Sequence, residues 1–195
     1  YLGKPGKNRP AGVGMPTQAT HADEGVFWAE QIAEKIKNRK KFTFLDKKLP
    51  TLKSHSVKSS SSLSGVLHIG RLSDIIRSEA VYRALCDAGI KTEFIYVAED
   101  MDPLRKIPRG VPKSFERYIG HPVSDVPDPE GCHESYAKHY LSEFLETMDG
   151  FLFSTPKVYS MREEYGKGSF TDSILQLLKH ADEVKAIIER RQDSK

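Results

Sequence analysis

The sequence predicts an α/β protein built around a parallel sheet, and three consecutive features support this fold class. A turn of small residues at 64–70, Ser-Gly-Val-Leu-His-Ile-Gly, runs directly into an amphipathic helix. That helix stops at Gly89, the residue type expected just past a helix C-terminus. A nearly continuous apolar run at 94–98 then has the composition of a parallel strand that is covered on both faces. With a strand before the turn, these features form a βαβ unit, predicted at about residues 42–98.

The elements before the turn are less regular. Residues 1–25 are rich in glycine and proline without apolar periodicity, so we predict a disordered tail there. Apolar side chains recur at helical spacing over 26–37 and predict a helix. The stretch 42–45 predicts a short strand, and a long polar connection follows it, with a weak strand near Val57.

Four serines at 59–62 stand immediately before the turn. Such a run ordinarily indicates a flexible linker. Because these serines lead directly into the turn, ligand binding is the alternative, and the sequence leaves both interpretations open.

The second half of the chain predicts loops and further helices. Acidic residues at 99–102 and a basic, proline-punctuated loop at 105–112 follow the buried strand. Apolar positions predict a helix over 136–148, a short strand at 151–153 and a last helix over 174–188. The apolar stripes of these helices are predicted to be core positions.

Composition excludes several classes of protein. With 195 residues, 38% of them hydrophobic, the chain has the size of one domain, or of one domain with an appendage. Its apolar runs are shorter than a membrane span requires, so no membrane association is predicted. Cys86 and Cys132 are far apart and neither belongs to a Cys-x-x-Cys pair, so neither a disulfide framework nor a zinc site is indicated. A reducing cytoplasm fits this cysteine usage.

Positive charge is concentrated between Lys35 and Lys58. This segment holds nine lysines or arginines and one acid, Asp46, in a chain whose net charge is +3. Such a run can form the footprint of a phosphate backbone. A solvated basic face is the alternative, and charge alone favours it.

The turn at 64–70 has the features of a nucleotide phosphate site. Backbone amides at a helix N-terminus point at anionic oxygens, and the helix dipole favours negative charge there. His68 adds a donor beside the phosphates, and Gly70 lets a flat adenine ring approach the backbone because it has no Cβ. The alternative is an ordinary solvated or capping histidine.

Acidic residues follow the second strand at the same end of the predicted sheet. Ligands of parallel sheets bind beyond the carboxyl ends of the strands. Asp100 and Asp102 are therefore candidate ligands beside the turn. Plain turn chemistry is the alternative, because aspartate and proline are also common turn residues.

Several segments, in the same order along the chain, resemble the class I lysyl-tRNA synthetases. The resemblance covers roughly residues 26–192 and includes the HIGH-motif turn of that family, its acidic cluster and its Arg-Lys-x-Pro loop. The segments that carry it are Trp28-Ala29-Glu30, Glu34-Lys35-Ile36, Val57 to Gly70, Glu99-Asp100-Met101-Asp102, Arg105 to Pro112, Val126-Pro127-Asp128-Pro129 and Gly131 to Ala137.

This resemblance implies a Rossmann-like parallel sheet with flanking helices. Residues 26–195 would be the N-terminal half of a class I catalytic domain, with 42–98 as its first βαβ unit and 99–195 as its inserted loops and helices. The implied activity joins lysine to tRNA(Lys) through lysyl-adenylate, with ATP and Mg²⁺ as substrates. No protein-bound metal is expected in this portion.

The resemblance also implies roles for individual residues. A catalytic histidine would donate to the phosphates, and acids would face the ε-ammonium group of lysine, which needs an anionic partner once desolvated. The residues implied at the ATP site are Ser64, Gly65, His68 (the catalytic one), Gly70 and Arg71, and those implied at the lysine site are Ser60, Ser62, Asp100 and Asp102.

The sequence departs from the family around the turn. Arg71 stands where the family has histidine or asparagine, Leu63 replaces a proline, and extra residues lie between Leu45 and Val57. The second ATP-binding loop, the cysteine-bearing module and the anticodon-binding domain would come later in the chain, so we expect the front part of a synthetase or a truncated paralogue. The alternatives are a glutamyl-tRNA synthetase fragment and a non-catalytic paralogue that binds nucleotide and holds tRNA with residues 35–58.

Overall fold

The computed structural model of this chain describes residues 27–43 and 46–192. The tail predicted at 1–25 therefore lies outside the described residues. The described chain forms a three-stranded sheet with helices before, between and after the strands. In chain order the elements are α1 (Trp28–Asn38), β1 (His55–Ser62), α2 (Ile69–Asp87), β2 (Thr92–Glu99), a 3₁₀ helix (Lys113–Tyr118), α3 (Tyr136–Asp149), β3 (Lys157–Ser160), α4 (Met161–Gly166), α5 (Thr171–Lys179) and α6 (Ala181–Gln192).

The sheet is parallel throughout, which confirms the predicted α/β class. The central strand β2 pairs with β1 from His55↔Thr92 to Ser62↔Glu99, and with β3 from Ile95↔Lys157 to Ala98↔Ser160. All three strands therefore end at the same edge of the sheet. The βαβ unit is β1-α2-β2, and Gly89, at a φ of 75°, follows the end of α2 as predicted.

The four serines at 59–62 are the last residues of β1, so the linker interpretation is wrong. Ser59 and Ser61 are buried, and the Ser61 hydroxyl is hydrogen-bonded to the phenol of Tyr96 on β2. A serine leaves room for this large buried ring on the neighbouring strand. The pairing with β2, rather than the β-propensity of serine, makes this segment a strand.

The strand predicted at 42–45 does not join the sheet in the residues that are described. An isolated antiparallel bridge connects Lys41 with Lys48, and the amide of Phe42 donates to the carbonyl of Lys47 at 3.0 Å. Residues 44 and 45 lie outside the described range. Because this local loop uses the backbone groups that a sheet strand would use, the βαβ unit begins at His55 rather than near residue 42.

One hydrophobic core joins the sheet to α2 and α3. Phe94, Tyr96 and Ala98 point to the same face of β2 and are at most 4% exposed, and they pack with Ile75 of α2 and Phe144 of α3. The opposite face of β2 is half-buried, so the predicted covering of both faces is only partial. A smaller cluster packs α1 onto α2, and its buried members are Ala29, Ala33, Ala84 and Leu85.

The second half of the chain differs from its prediction at two places. The predicted helix over 136–148 is confirmed as α3, but 151–153 is a turn, with Phe153 81% exposed, and the third strand is β3 instead. The predicted last helix is two helices, α5 and α6, which are separated at His180. Large apolar side chains on them, such as Leu178 and Ile188, are at least half exposed and are not core positions.

None of the helices in the described residues combines the length and the apolar character that crossing a bilayer requires.

Two isoleucine substitutions test this division between core and surface. Ile75→Ala removes a side chain that is fully buried, so we expect it to lower the free energy of unfolding by about 2–5 kcal/mol. Ile188→Ala changes a side chain that is half exposed, and we expect a change within about 0.5 kcal/mol. Urea denaturation followed by circular dichroism measures both. Equal losses of stability would show that α6 belongs to the core.

Candidate functional site

The carboxyl ends of the three strands meet at one edge of the sheet, which we call the carboxyl edge. β1 leads into the turn at 64–70, Asp100 directly follows β2, and α4 begins directly after β3. Parallel sheets bind ligands at this edge. The structure therefore places the predicted turn and the predicted acids at the same edge.

His68 is the N-cap residue of α2. Its Nδ1 accepts a hydrogen bond from the backbone amide of Gly70 at 3.1 Å. An accepting Nδ1 places the proton of a neutral imidazole on Nε2. Because the side chain is exposed, the Nε2–H group can donate to a ligand at the helix N-terminus. The capping role and the predicted donor role are therefore compatible.

The backbone amides of the turn are also free to bind a ligand. Those of residues 65–68 have no hydrogen-bond acceptor within the described part of the chain. Consecutive free amides before a helix N-terminus form an anion-binding arrangement, and the helix dipole reinforces it. This geometry suits the oxygens of a phosphate.

Gly70 preserves the histidine cap. A Cβ at this position would lie 2.8 Å from Cε1 and 2.9 Å from Nδ1 of His68, closer than van der Waals contact allows. Any larger residue would therefore displace the imidazole from the amide. The predicted contact between Gly70 and adenine stays a prediction.

Two distant segments hold the start of the turn. The hydroxyl of Tyr136, at the start of α3, donates to the carbonyl of Ser64 at 3.0 Å. Gly65 is buried against Pro108, whose Cγ would lie 3.1 Å from a Cβ at residue 65. Burial raises the pKa of Tyr136, so this hydroxyl stays protonated as a donor. The turn therefore has a fixed position relative to α3 and the 105–112 loop.

Arg71 lies in the first turn of α2 and is half-buried. Burial raises the pKa of Tyr96 to about 12, and the positive charge of Arg71 acts against that rise. The position of Arg71 in the first turn of α2 places it beside the carboxyl edge. A cation there adds to the positive potential of the helix N-terminus and favours an anionic ligand.

The two predicted lysine-site serines lie near the end of β1. Ser60 and Ser62 are half-buried, on the opposite side of the strand from the two buried serines, and they pair in register with Val97 and Glu99. Their side chains therefore reach the less covered face of the sheet.

The two predicted acids differ in their partners. Asp100 is 5% exposed, and its carboxylate accepts hydrogen bonds from the Ser160 hydroxyl and from the Arg162 amide, the latter at 2.9 Å. It therefore connects the end of β2 to the start of α4. Asp102 is half-buried, and its carboxylate has no partner among residues 27–43 and 46–192. Asp102 thus has the freer carboxylate for a ligand cation.

A cavity of about 270 Å³ opens beside Asp100. Its walls come from the ends of β1 and β3 and from the starts of α3 and α4, and they include Leu63, Lys138 and Arg162. Ser60, Ser62 and Asp102 do not line it. The structure therefore does not bring the four predicted lysine-site residues into one cavity.

A cluster of four potential metal ligands lies beside the start of α3: Asp128, Cys132, His133 and His139. Sγ of Cys132 is 3.3 Å from Oδ2 of Asp128, 3.0 Å from Nδ1 of His133 and 3.3 Å from Nδ1 of His139. Around a tetrahedral zinc ion, ligand atoms stand roughly 3.3–3.8 Å apart. The four ligand atoms all lie within 4.8 Å of one another, so the cluster could hold such an ion.

Hydrogen bonds fix the carboxylate of the cluster. Asp128 accepts from the amides of Glu130 and Cys132 at 2.9 Å each, and from the amide of His133 at 2.6 Å. Burial raises the pKa of Asp128, but these bonds and the nearby His139 outweigh it and hold the pKa well below its usual range. The hydrogen bond to Asp128 raises the pKa of Cys132, a shift that a bound cation would reverse. The carboxylate is thus ionised, as metal binding requires.

The cluster gives a weak signal in the sequence. Its potential ligands are one carboxylate, one thiol and two imidazoles, so a search for Cys-x-x-Cys pairs does not find it. The available signal was the Cys132-His133 pair, with Asp128 four residues before Cys132 and His139 six residues after His133. The expectation of no protein-bound metal in this portion stays a prediction, and zinc binding by these four side chains is its test.

The cluster adjoins the residue that holds the turn. Tyr136 lies between His133 and His139 in sequence, and its ring packs on Tyr140 with centroids 4.7 Å apart. The ring of His139 meets Tyr140 edge-on at 4.9 Å. Packing therefore connects the cluster to the hydrogen bond between Tyr136 and Ser64, a connection that the sequence did not predict.

Comparison with known proteins identifies a matching family and similar sequences. Residues 26–195 match the family model described as tRNA synthetases class I (K). The chain is 35% identical over 165 residues to a lysine–tRNA ligase of Archaeoglobus fulgidus, 36% over 167 residues to one of Methanocaldococcus jannaschii, and 37% over 166 residues to one of Methanosarcina barkeri. These alignments cover 84–85% of this chain but only 28–30% of the relatives. The chain thus spans less than a third of the length of the curated relatives it matches.

Cysteine substitutions test the metal cluster. We expect the chain to bind one zinc ion, and Cys132→Ser to weaken binding by more than about 100-fold, because changes to groups that only support a ligand already cost 10–100-fold. Cys86→Ser is the matched control, since Cys86 is also an exposed free thiol but lies outside the cluster. Competition with a chromogenic zinc chelator measures the affinity. Equal affinities for the two variants, or no zinc binding by the unaltered chain, would contradict the assignment.

Proposed function

Because this chain belongs to the class I (K) family of tRNA synthetases, as the sequence resemblance predicted, we propose that it is the ATP-binding front part of a lysine–tRNA ligase. The parallel sheet is then the Rossmann-like core of the catalytic domain. One observation carries the proposal. The turn at 64–70 presents free backbone amides, a fixed Nε2–H donor on His68 and the cation of Arg71 at the carboxyl edge.

The proposed reaction begins with lysine and ATP. A carboxylate oxygen of lysine attacks the α-phosphorus, and the bond from that phosphorus to the bridging oxygen of pyrophosphate breaks. The carboxylate is already ionised at neutral pH, so this step needs no general base. Catalysis then depends on alignment and on donors that stabilise charge at the phosphate. The lysyl group of lysyl-adenylate would next pass to the terminal ribose of tRNA(Lys), with release of AMP.

The residues of the turn have separate roles in this proposal. His68 donates through Nε2 to the phosphates, and the amides from Gly65 onward bind further oxygens. Ser64 and Gly65 hold the shape of the turn through their contacts with Tyr136 and Pro108. Gly70 keeps the imidazole in its capping position and would also lie against adenine. Arg71 adds positive charge, and Mg²⁺ would enter with ATP as part of the substrate.

The lysine site is proposed on the same edge of the sheet. Asp102 is the preferred partner of the ε-ammonium group, because its carboxylate is free and a desolvated ammonium needs an anion. Asp100 is assigned to fixing α4, since two hydrogen bonds from that segment already engage it. Ser60 and Ser62 would contact the remainder of the amino acid.

Lysine is favoured over glutamate as the substrate. The three relatives described above are lysine–tRNA ligases, which speaks against the glutamyl alternative. The free turn amides suit a phosphate and therefore fit both an active ligase and a nucleotide-binding paralogue, which pyrophosphate exchange distinguishes. A cytoplasmic location belongs to the same proposal, and the two free cysteines agree with a reducing compartment.

Pyrophosphate exchange tests this proposal without tRNA. Residues 26–195 would replace the corresponding part of the Archaeoglobus fulgidus ligase, and we expect the chimera to exchange pyrophosphate into ATP with lysine but not with glutamate. His68→Ala should lower the exchange rate by a factor of about 10² or more, because one preorganised donor is lost.

His55→Ala is the matched control for this experiment. His55 is the first residue of β1, at the far end of the strand from the turn, so exchange should be unchanged. An unchanged rate in the His68→Ala chimera would remove the catalytic role of His68. Exchange with glutamate but not with lysine would show that glutamate is the substrate.

A further inference from the structure

A groove lies at the amino edge of the sheet, opposite to the turn at 64–70. It is formed by the end of α1, the connection that follows it, the first residue of β1 and Ile90 before β2, and it encloses about 400 Å³. Seven residue steps along β1 separate His55 from Ser62, which places the groove roughly 23 Å from the carboxyl edge. We call it the basic groove, and its polar lining residues include Lys37, Arg39, Lys40, Lys48 and His55.

The cations around the basic groove are largely unneutralised. All nine lysines and arginines between Lys35 and Lys58 are exposed. Within residues 27–43 and 46–192, Lys41 is the one member of this set that forms an ion pair, with Asp46 at 2.6 Å. Since the whole chain carries only +3, the rest of the chain is net negative. Net positive charge is therefore concentrated in this segment of the chain.

Backbone hydrogen bonds give the groove a defined wall. The amide of Leu49 donates to the carbonyl of Lys40 at 2.9 Å, and Lys41 and Lys48 form an isolated antiparallel bridge. These contacts fix the backbone that carries Lys40 and Lys48, and both residues line the groove. The cations are thus arranged on a folded surface rather than along an extended tail.

The shape of the groove favours a nucleic-acid strand over a lipid bilayer as its ligand. Ile36, Leu49 and Ile90 are half-buried in its lining, so the apolar groups are recessed between exposed lysines. A lipid bilayer is flat and binds several protruding apolar side chains together. Among the large apolar side chains of this concave lining, Ile36, Leu49 and Ile90 are half-buried and Leu52 is 47% exposed. A nucleic-acid strand can enter a groove, place its phosphates against lysines on the rim and its sugars and bases against the apolar lining.

We propose that the basic groove binds the phosphate backbone of RNA, as a contact separate from the catalytic edge. The choice of RNA rests on the proposed function, which makes tRNA a substrate, whereas the groove itself rests on charge and shape. The contact is independent of base sequence, because lysines bind phosphates and not base edges. It would hold the body of the tRNA while the acceptor end reaches the carboxyl edge.

Charge reversal in the groove tests this inference. The probe is a fluorescein-labelled tRNA(Lys) transcript, and its affinity for the chain is measured by anisotropy between 50 and 300 mM salt. This interval includes the range of roughly 50–200 mM over which salt strongly lowers an affinity that depends on phosphate contacts. Lys40→Glu with Lys48→Glu should weaken binding about 10-fold or more at 0.1 M salt. It should also flatten the slope of log K against log salt by about 1.4–1.8, as expected for two lost phosphate contacts.

Two further double variants complete the experiment. Lys113→Glu with Lys179→Glu makes the same change in net charge on exposed lysines outside the groove, and it should alter the affinity less than about threefold. Lys40→Arg with Lys48→Arg keeps the charges and should bind as the unaltered chain does. Circular dichroism of each variant monitors the fold.

Three results would overturn the inference. The first is an equal loss of affinity in the two glutamate variants, and the second is a loss in the arginine variant. The third is displacement of the tRNA at equal charge by polyglutamate, or by vesicles containing phosphatidylserine, which would assign the groove to an acidic protein or a membrane. Failure of the proposed function is detected separately, because the activation of lysine by ATP, which pyrophosphate exchange follows, consumes no RNA.

Discussion

The ladder between β1 and β2 joins two eight-residue strands in parallel, from His55↔Thr92 to Ser62↔Glu99. A parallel pair cannot be closed by a tight turn, so the chain must cross over through α2 and both strands must end at the same edge. That constraint places the turn before α2 beside the acids after β2. It also places the lysine-rich connection before β1 at the opposite edge. The turn at 64–70 and the basic groove are therefore separated by the length of a strand.

Polar contacts between distant segments fix the geometry of the carboxyl edge. Tyr136 holds the carbonyl of Ser64, and Asp100 holds the start of α4. Buried Glu79 of α2 accepts a hydrogen bond from the amide of Ser154, which anchors the segment before β3. A buried hydrogen bond is costly to leave unmade, so each contact strongly favours one arrangement of its segments. The metal-ligand cluster at 128–139 adjoins Tyr136, and a bound ion there would stiffen the support of the turn.

Sequence patterns predicted the helices and strands that depend mainly on local periodicity and propensity. The α2 helix with its terminal Gly89, the apolar strand β2 and the helix α3 all follow from periodicity and propensity. For β1 the sequence indicated only a weak strand near Val57, because the four serines that follow have little strand propensity and become a strand through pairing with β2. The stripes of α5 and α6 show that periodicity identifies an apolar face but not what covers it. At the site, the role of His68 as a possible cap was foreseen, whereas the engagement of Asp100 and the support from Tyr136 are long-range contacts that one sequence does not display.

We propose that the turn at 64–70 binds the phosphates of MgATP, whereas the basic groove binds the phosphate backbone of RNA. Titration of the ¹⁵N-labelled chain with MgATP, followed by amide chemical shifts, tests this claim residue by residue. We predict the largest shift changes at the amides of residues 65–71, with little change at the amides of residues 37–43 and 46–55. Largest changes in the basic groove, or no changes in the turn at saturating MgATP, would contradict it.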